Sequence, residues 1–229
     1  MTLVDFKRLS DAPPPIRELL AVEDDGLATA WRSNGPAVGR FSGPVADRAG
    51  LEAAVDAARA AEPPEAALRA DAVAERIETG GRQARVPARL PVDGPWGPLA
   101  DACRRLLDEM VTAPTAAIGG VLGPGARLRL EHRGDAPLPL ELASLEVTFK
   151  RWRDGAQAGE ARVRGAGEAL DRVEAGPGWS LEVGADEAAD GSTDGLDLAG
   201  GGILVAEAVF VVEDAGVLVP VRLSVSTTL

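Results

Sequence analysis

The residues whose types and spacing most resemble chemistry lie at 190–197, DGSTDGLD. Asp190, Ser192 and Asp194 stand at positions 1, 3 and 5 ahead of Gly195, as oxygen ligands do in the first half of a calcium loop. Asp197 follows at position 8, with Asp186 and Glu187 upstream, and could add oxygens in another geometry. A helix–loop–helix calcium site also needs a ligand at position 9 and a bidentate acid at position 12, and those positions hold Leu198 and Gly201. Clustered carboxylates without a cation repel one another. The preferred reading is therefore a polar inter-strand loop ending in Gly200-Gly201-Gly202, with Ca2+ held by Asp190, Ser192, Asp194 and Asp197 as the alternative.

Two further residue types invite chemistry. His132 is the only histidine and Cys103 the only cysteine, so a zinc site needing two imidazoles is excluded, as is an internal disulfide. His132 shares phase with Leu128 and Leu130, which predicts a structural histidine at the end of an inward strand face. Cys103 lies on an apolar helical stripe, where a thiol behaves as a small hydrophobe. In KRWRDG (150–155), Lys150, Arg151 and Arg153 surround Trp152 just before an Asp-Gly turn. These four form a candidate interaction patch, an anion grip with guanidinium over indole. The competing reading is a hairpin end whose long side chains shield the ring. No strand leads into G-x-G-x-x-G or a P-loop, GAGEAL (165–170) lacks the third glycine, and no G-x-S-x-G elbow occurs. No catalytic or cofactor-binding residue is assigned.

The elements that must position these residues follow from composition and punctuation. The 229 residues are 45% hydrophobic and 26% charged, as in a globular protein, and only 3% aromatic with no tyrosine, so the core must be Leu, Val, Ile and Ala. The net charge is −12, and residues 114–229 carry 18 acidic side chains against 10 basic. A field of that sign repels phosphate backbones and anionic lipids, which argues against nucleic-acid and membrane partners. The opening MTLVDFKRLSDAPPP has no apolar h-region or cleavage site, and no 18-residue apolar run occurs, so a cytoplasmic location is expected.

The first half alternates hairpins with helices. Asp25-Gly26 separates two short apolar runs, a hairpin signal, and a third strand is expected in VGRFSGPV. Asp47 is placed to cap a helix whose Leu51, Ala54, Val55 and Ala58 share a face. A second hairpin turns at Gly80-Gly81, and a closing helix aligns Trp96, Leu99, Cys103, Leu106, Leu107 and Met110. The second half is strand throughout. In LPLELASLEVTF the apolar phase moves from Leu138, Leu140 and Leu142 to Leu145, Val147 and Phe149, which requires a bulge near Ala143-Ser144 or a strand that changes sheets. ILVAEAVFVV, apolar on both faces, reads as a central strand, and VLVPVRLSVS points Val217, Val219, Val221, Leu223 and Val225 inward. The expected fold is an α+β domain at 1–113, with an antiparallel sheet and two helices. A linker at 114–125 and an all-β immunoglobulin-like sandwich at 126–229 follow. DAPPPI (11–16) is expected to isolate a short N-terminal segment.

From Ile16 to Met110 the order of elements, with LEAAVDAA, AERIETGGRQARVP and PLADACRRLL, resembles the emfourin-type domain, a family associated with inhibition of thermolysin-like metalloproteases. The resemblance implies an α+β fold and a protease-regulating role. It carries over no functional residue, and EDDGLATAW stands where that family usually shows a glycine-rich run.

Together these readings predict a non-catalytic protein acting through a protein partner or self-assembly, with Trp31, Trp152 and Trp179 as surface aromatics. A protease inhibitor or regulator is the alternative. A hydrolase built on carboxylates that converge only in three dimensions is the lesser one.

Overall fold

A computed structural model describes residues 2–10, 16–66, 73–123, 125–164, 172–187, 196 and 198–229. The chain is predominantly β. It begins with β1 (Thr2–Ser10), β2 (Ile16–Glu23), β3 (Leu27–Arg32), the two-residue β4 (Asn34–Gly35) and β5 (Ala37–Pro44). Helix α1 (Arg48–Arg59), the hairpin β6 (Ala74–Thr79) and β7 (Arg82–Pro87), and helix α2 (Trp96–Glu109) follow. The remainder is β8 (Pro114–Gly123), β9 (Arg127–Gly134), β10 (Leu138–Arg153), β11 (Ala156–Arg164), β12 (Val173–Ala175), β13 (Ser180–Gly184), β14 (Ile203–Asp214) and β15 (Val217–Thr228). Two compact units divide the chain, Met1–Arg32 with Arg40–Pro114, and Ser33–Gly39 with Thr115–Leu229. No helix among the described residues is long and apolar enough to cross a membrane.

In the first unit β3–β2–β1–β6–β7 form consecutive antiparallel pairs. The hairpins turn where glycine permits positive φ: Gly26 at +86°, and Gly80 and Gly81 at +56° and +74°. Alternation puts Val4, Phe6, Leu20, Val22 and Ile77 on a buried face. Both helices reach that face, α1 through Arg59 Nε donating to Thr79 Oγ1 at 3.0 Å, and α2 through Arg32 Nη1 donating to the Leu107 carbonyl at 3.2 Å. Asp47 caps α1 by accepting from the Gly50 N–H at 3.0 Å, and Leu51, Ala54, Val55 and Ala58 are buried as their spacing requires. The N-terminal segment is not isolated by DAPPPI. It is β1, paired on both edges, because its alternating Val4 and Phe6 complete the buried face.

The second unit holds β11–β10–β14–β15 in antiparallel order, β12 pairing with the first residues of β10, and a second set β13–β9–β8. The phase change in β10 is present: Glu141 faces Val211 while Glu146 faces Val209, so four residues bulge opposite Phe210 alone. Leu138 and Leu140 before it, Leu142 and Leu145 within it, and Val147 and Phe149 after it are all buried. β14 lies between β10 and β15. In β15, Val219, Val221 and Leu223 are buried, whereas Val217 at the hairpin tip is exposed.

Two expected boundaries are corrected. Residues 114–123, assigned to a linker, form β8, with Ala116, Ala117 and Ile118 buried. Gly120 is a packing position: a Cβ there would stand 2.5 Å from Leu223 and 3.1 Å from Val225. Ser33–Gly39 joins the second unit, where Arg222 and Leu223 pair in parallel with Asn34 and Gly35, and the Arg222 N–H donates to the Ser33 carbonyl at 2.8 Å.

Candidate functional site

A cleft among the described residues lies at one end of the β10–β14 pair, where Trp152 and Ile203 stand opposite each other. It encloses about 500 Å³ and is lined by Trp152, Arg153, Asp154, Gly155, Gly202 and Ile203. Trp152 is 39% exposed and Ile203 50%. Asp154 and Gly155, at φ +52° and +80°, make the tight turn into β11 that leaves the indole at the rim. The opposite wall is fixed by two features. Buried Arg151 donates from Nε and Nη2 to the Gly201 carbonyl at 3.2 and 2.9 Å. At Gly202 the backbone adopts φ +116° so close to β10 that a Cβ would stand 2.4 Å from the Trp152 carbonyl oxygen. Only glycine fits there. The result is an apolar cleft with a rigid wall, suited to receiving an apolar side chain.

This geometry revises the cationic grip expected at 150–153. Lys150 pairs with Glu207 across β10–β14, Arg151 is consumed by the Gly201 carbonyl, and Arg153 lies 3.7 Å from Asp154. Each cation has an internal partner because the alternating strand turns successive side chains to opposite faces, not towards one ring. Among the described residues the ring–cation contact is Arg8 over Phe6, 5.7 Å from the centroid. Trp152 alone of the expected surface aromatics is well exposed: Trp31 is buried and Trp179 half-buried.

The other expected sites resolve individually. Asp190, Ser192, Asp194 and Asp197 lie outside the described residues. Among those described, no group of three His, Cys, Asp or Glu side chains is arranged to hold a metal ion. Cys103 is fully buried on α2, and burial, reinforced by the charge of Glu75 and opposed by Arg104, pushes its thiol up to about 12. His132 donates from Nε2 to the Ala136 carbonyl at 2.9 Å, which fixes its tautomer and ties the end of β9 to the following turn.

Sequence reasoning missed a row of buried charges in the first unit. Arg32 on β3, Glu18 on β2, Arg8 on β1 and Glu75 on β6 stand directly opposite one another across four adjacent strands. Arg8 Nε donates to Glu75 at 2.9 Å and its Nη1 to Glu18; Arg32 Nη2 lies 3.3 Å from Glu18. Arg104 of α2 closes the row, donating from Nε and Nη2 to Glu75 at 2.8 and 2.6 Å. Burial lowers the proton affinity of Arg8, and the charges of Glu18 and Glu75 more than offset it, so its pKa rises above the ordinary arginine value. Two carboxylates do converge here, as a hydrolase would require. However, Glu18 and Glu75 are 2% and 0% exposed, and with the Arg89 N–H at 3.3 Å four donors fill the lone pairs of Glu75. Neither is open to a substrate. The signal was present in the sequence: Arg8 is in phase with Val4 and Phe6, Glu18 with Leu20 and Val22, and Glu75 with Ile77.

No protein-family model matches the chain, and no curated protein or solved structure matches it.

Proposed function

We propose that this is a non-catalytic protein-interaction or assembly protein, and that its second unit, read as an immunoglobulin-like β-sandwich, offers the Trp152 cleft to a protein partner. The observation that carries this reading is the exposure of Trp152 and Ile203 on the walls of a cleft fixed by Arg151 and Gly202. A pre-formed apolar cleft rimmed by an indole is the anatomy of an interface hot spot. The contacts of Leu223 and Val225 with Gly120 bring β15 against β8, which supports a two-layer arrangement of that unit. An indole buries up to about 250 Å², so covering the 39% of Trp152 now exposed removes about 100 Å² from water, worth about 2.5 kcal/mol. Partner capture with the wild-type chain and with Trp152→Ala tests this. The partner retained by the wild type should bind the variant roughly 70-fold more weakly. Equal retention by both would refute the role of the cleft.

A second reading, regulation of a metalloprotease, draws on the order β2–β3–β5–α1–β6–β7–α2 and on the turn at 23–27. Arg48 donates to the Asp25 and Asp24 carbonyls at 3.0 and 2.6 Å, fixing the turn that leads into exposed Leu27 at the start of β3. Pre-organisation of this kind suits an inhibitory loop. Titration of a thermolysin-like protease with the chain decides it: stoichiometric inhibition lost in Leu27→Asp supports the reading, and full protease activity at excess chain removes it.

A further inference from the structure

The outward face of the first unit's sheet carries an arrangement that costs stability in a single copy. Lys7 on β1, Arg76 on β6 and Arg85 on β7 stand directly opposite one another, and in the next row Asp5 stands opposite Glu78 and Glu78 opposite Gln83. Like charges facing each other across neighbouring strands destabilise a sheet. Arg76, Glu78 and Arg85 are exposed, and among the described residues none of the three has an ion-pair or side-chain hydrogen-bond partner. Among the described residues Lys7 pairs with Asp5, two residues along its own strand, at 3.3 Å.

The two rows of opposite sign lie about 7 Å apart, two residues along the strands. Read along β1, the outward side chains are Leu3, Asp5, Lys7 and Leu9, and Leu9 is 42% exposed. The same series read antiparallel matches itself: Leu3 meets Leu9, Asp5 meets Lys7, Lys7 meets Asp5 and Leu9 meets Leu3. On β6, Arg76 meets Glu78 by the same operation, and on β7 Arg85 meets Gln83. A two-fold axis lying in the plane of the face, between the rows and parallel to them, generates all these contacts at once. That is the self-complementarity an isologous interface requires.

We propose that this face, centred on Lys7, Asp5, Arg76 and Glu78, is the interface of a symmetric dimer with a second copy of the chain. The occupant is selected by charge: a partner of single sign would leave one of the two rows facing like charge, whereas a second copy satisfies both. The inference does not depend on the Trp152 cleft, which lies in the other unit, so Trp152→Ala dimerises as the wild type does.

Charge exchange on the full chain tests it by sedimentation velocity between 1 and 100 µM, in low salt and at about 0.5 M salt, where the Debye length shortens to a few ångströms. The wild type should dimerise, more weakly in high salt. Arg76→Glu and Glu78→Arg should each weaken dimerisation at least tenfold. Mixing the two single variants should restore a heterodimer, and the double variant Arg76→Glu/Glu78→Arg should restore a homodimer; either recovery also shows that the variants fold. A wild type that stays monomeric throughout would overturn the proposal. So would single variants that dimerise as the wild type does, or an equimolar mixture that stays monomeric.

Discussion

The alkaline stability of this protein should be governed by one buried thiol. Cys103 ionises near its ordinary 9.0 in the unfolded chain, and burial on α2 pushes it up to about 12 in the fold. Between those values the unfolded chain has released the proton and the folded chain has not. The unfolded state therefore binds fewer protons, and stability falls as pH rises. The slope is about 1.4 kcal/mol per pH unit above pH 9, which amounts to roughly 2 kcal/mol by pH 10.5. The background is unusually clean, because the chain has no tyrosine and only two lysines to titrate in that range. The experiment is urea denaturation of the wild type and of Cys103→Ala at pH 7, 9, 10 and 10.5, followed by circular dichroism. The alanine variant starts lower, since it leaves a small cavity at a fully buried position. Its curve against pH should nevertheless be flatter, so the two stabilities converge as pH rises. Parallel curves would show that the thiol ionises as readily in the fold as outside it, and the burial argument would fail. A thiol reagent at pH 8 gives the kinetic counterpart: no labelling of the native chain over minutes and rapid labelling in denaturant.

Glu75→Ala should cost about 3–5 kcal/mol in urea denaturation, because it strips a fully buried carboxylate from both Arg8 and Arg104; a loss below about 1 kcal/mol would mean the row is not a dry ion network. Glu109→Gln, exposed on α2, is the matched control and should stay within about 0.5 kcal/mol. Gly202→Ala should lose at least about 2 kcal/mol, from a left-handed backbone and a contact with the Trp152 carbonyl, and should weaken partner binding at the cleft in step. An unchanged melting temperature would show that the wall is less rigid than its geometry implies.

What the sequence disclosed was local. The turns at Asp25-Gly26 and Gly80-Gly81, the Asp47 cap, the buried stripe of α2 and the bulge after Leu142 are each written within a dozen residues. Propensity, periodicity and φ preference decide them before any distant contact forms. What escaped was pairing between distant segments. β1 finds β6 about 70 residues away, and Asn34–Gly35 finds β15 nearly 190 residues away. Gly119 and Gly120 looked like a flexible boundary because a glycine needed for close packing and a glycine needed for freedom are written alike. The cleft was half legible: Trp152 stood out in KRWRDG, but its opposite wall comes from Gly201 and Gly202, at the end of the segment read as a polar inter-strand loop.

The buried charge row marks where local and distant information meet. Arg8, Glu18, Arg32 and Glu75 occupy positions that alternation assigns to the core, so each requires an opposite charge, and only the register of the sheet supplies it. Slipping β1 against β2 by one residue would turn the whole apolar set outward. A slip of two residues keeps the apolar faces inward, so hydrophobicity alone barely opposes it. That slip, however, would bring Arg8 opposite Leu20 in place of Glu18, and the equivalent slip against β6 would bring it opposite Ile77 in place of Glu75. Either leaves a guanidinium and a carboxylate buried apart, at a cost of several kcal/mol. The apolar residues thus choose the face and the charges choose the register, an ambiguity that alternation alone leaves open.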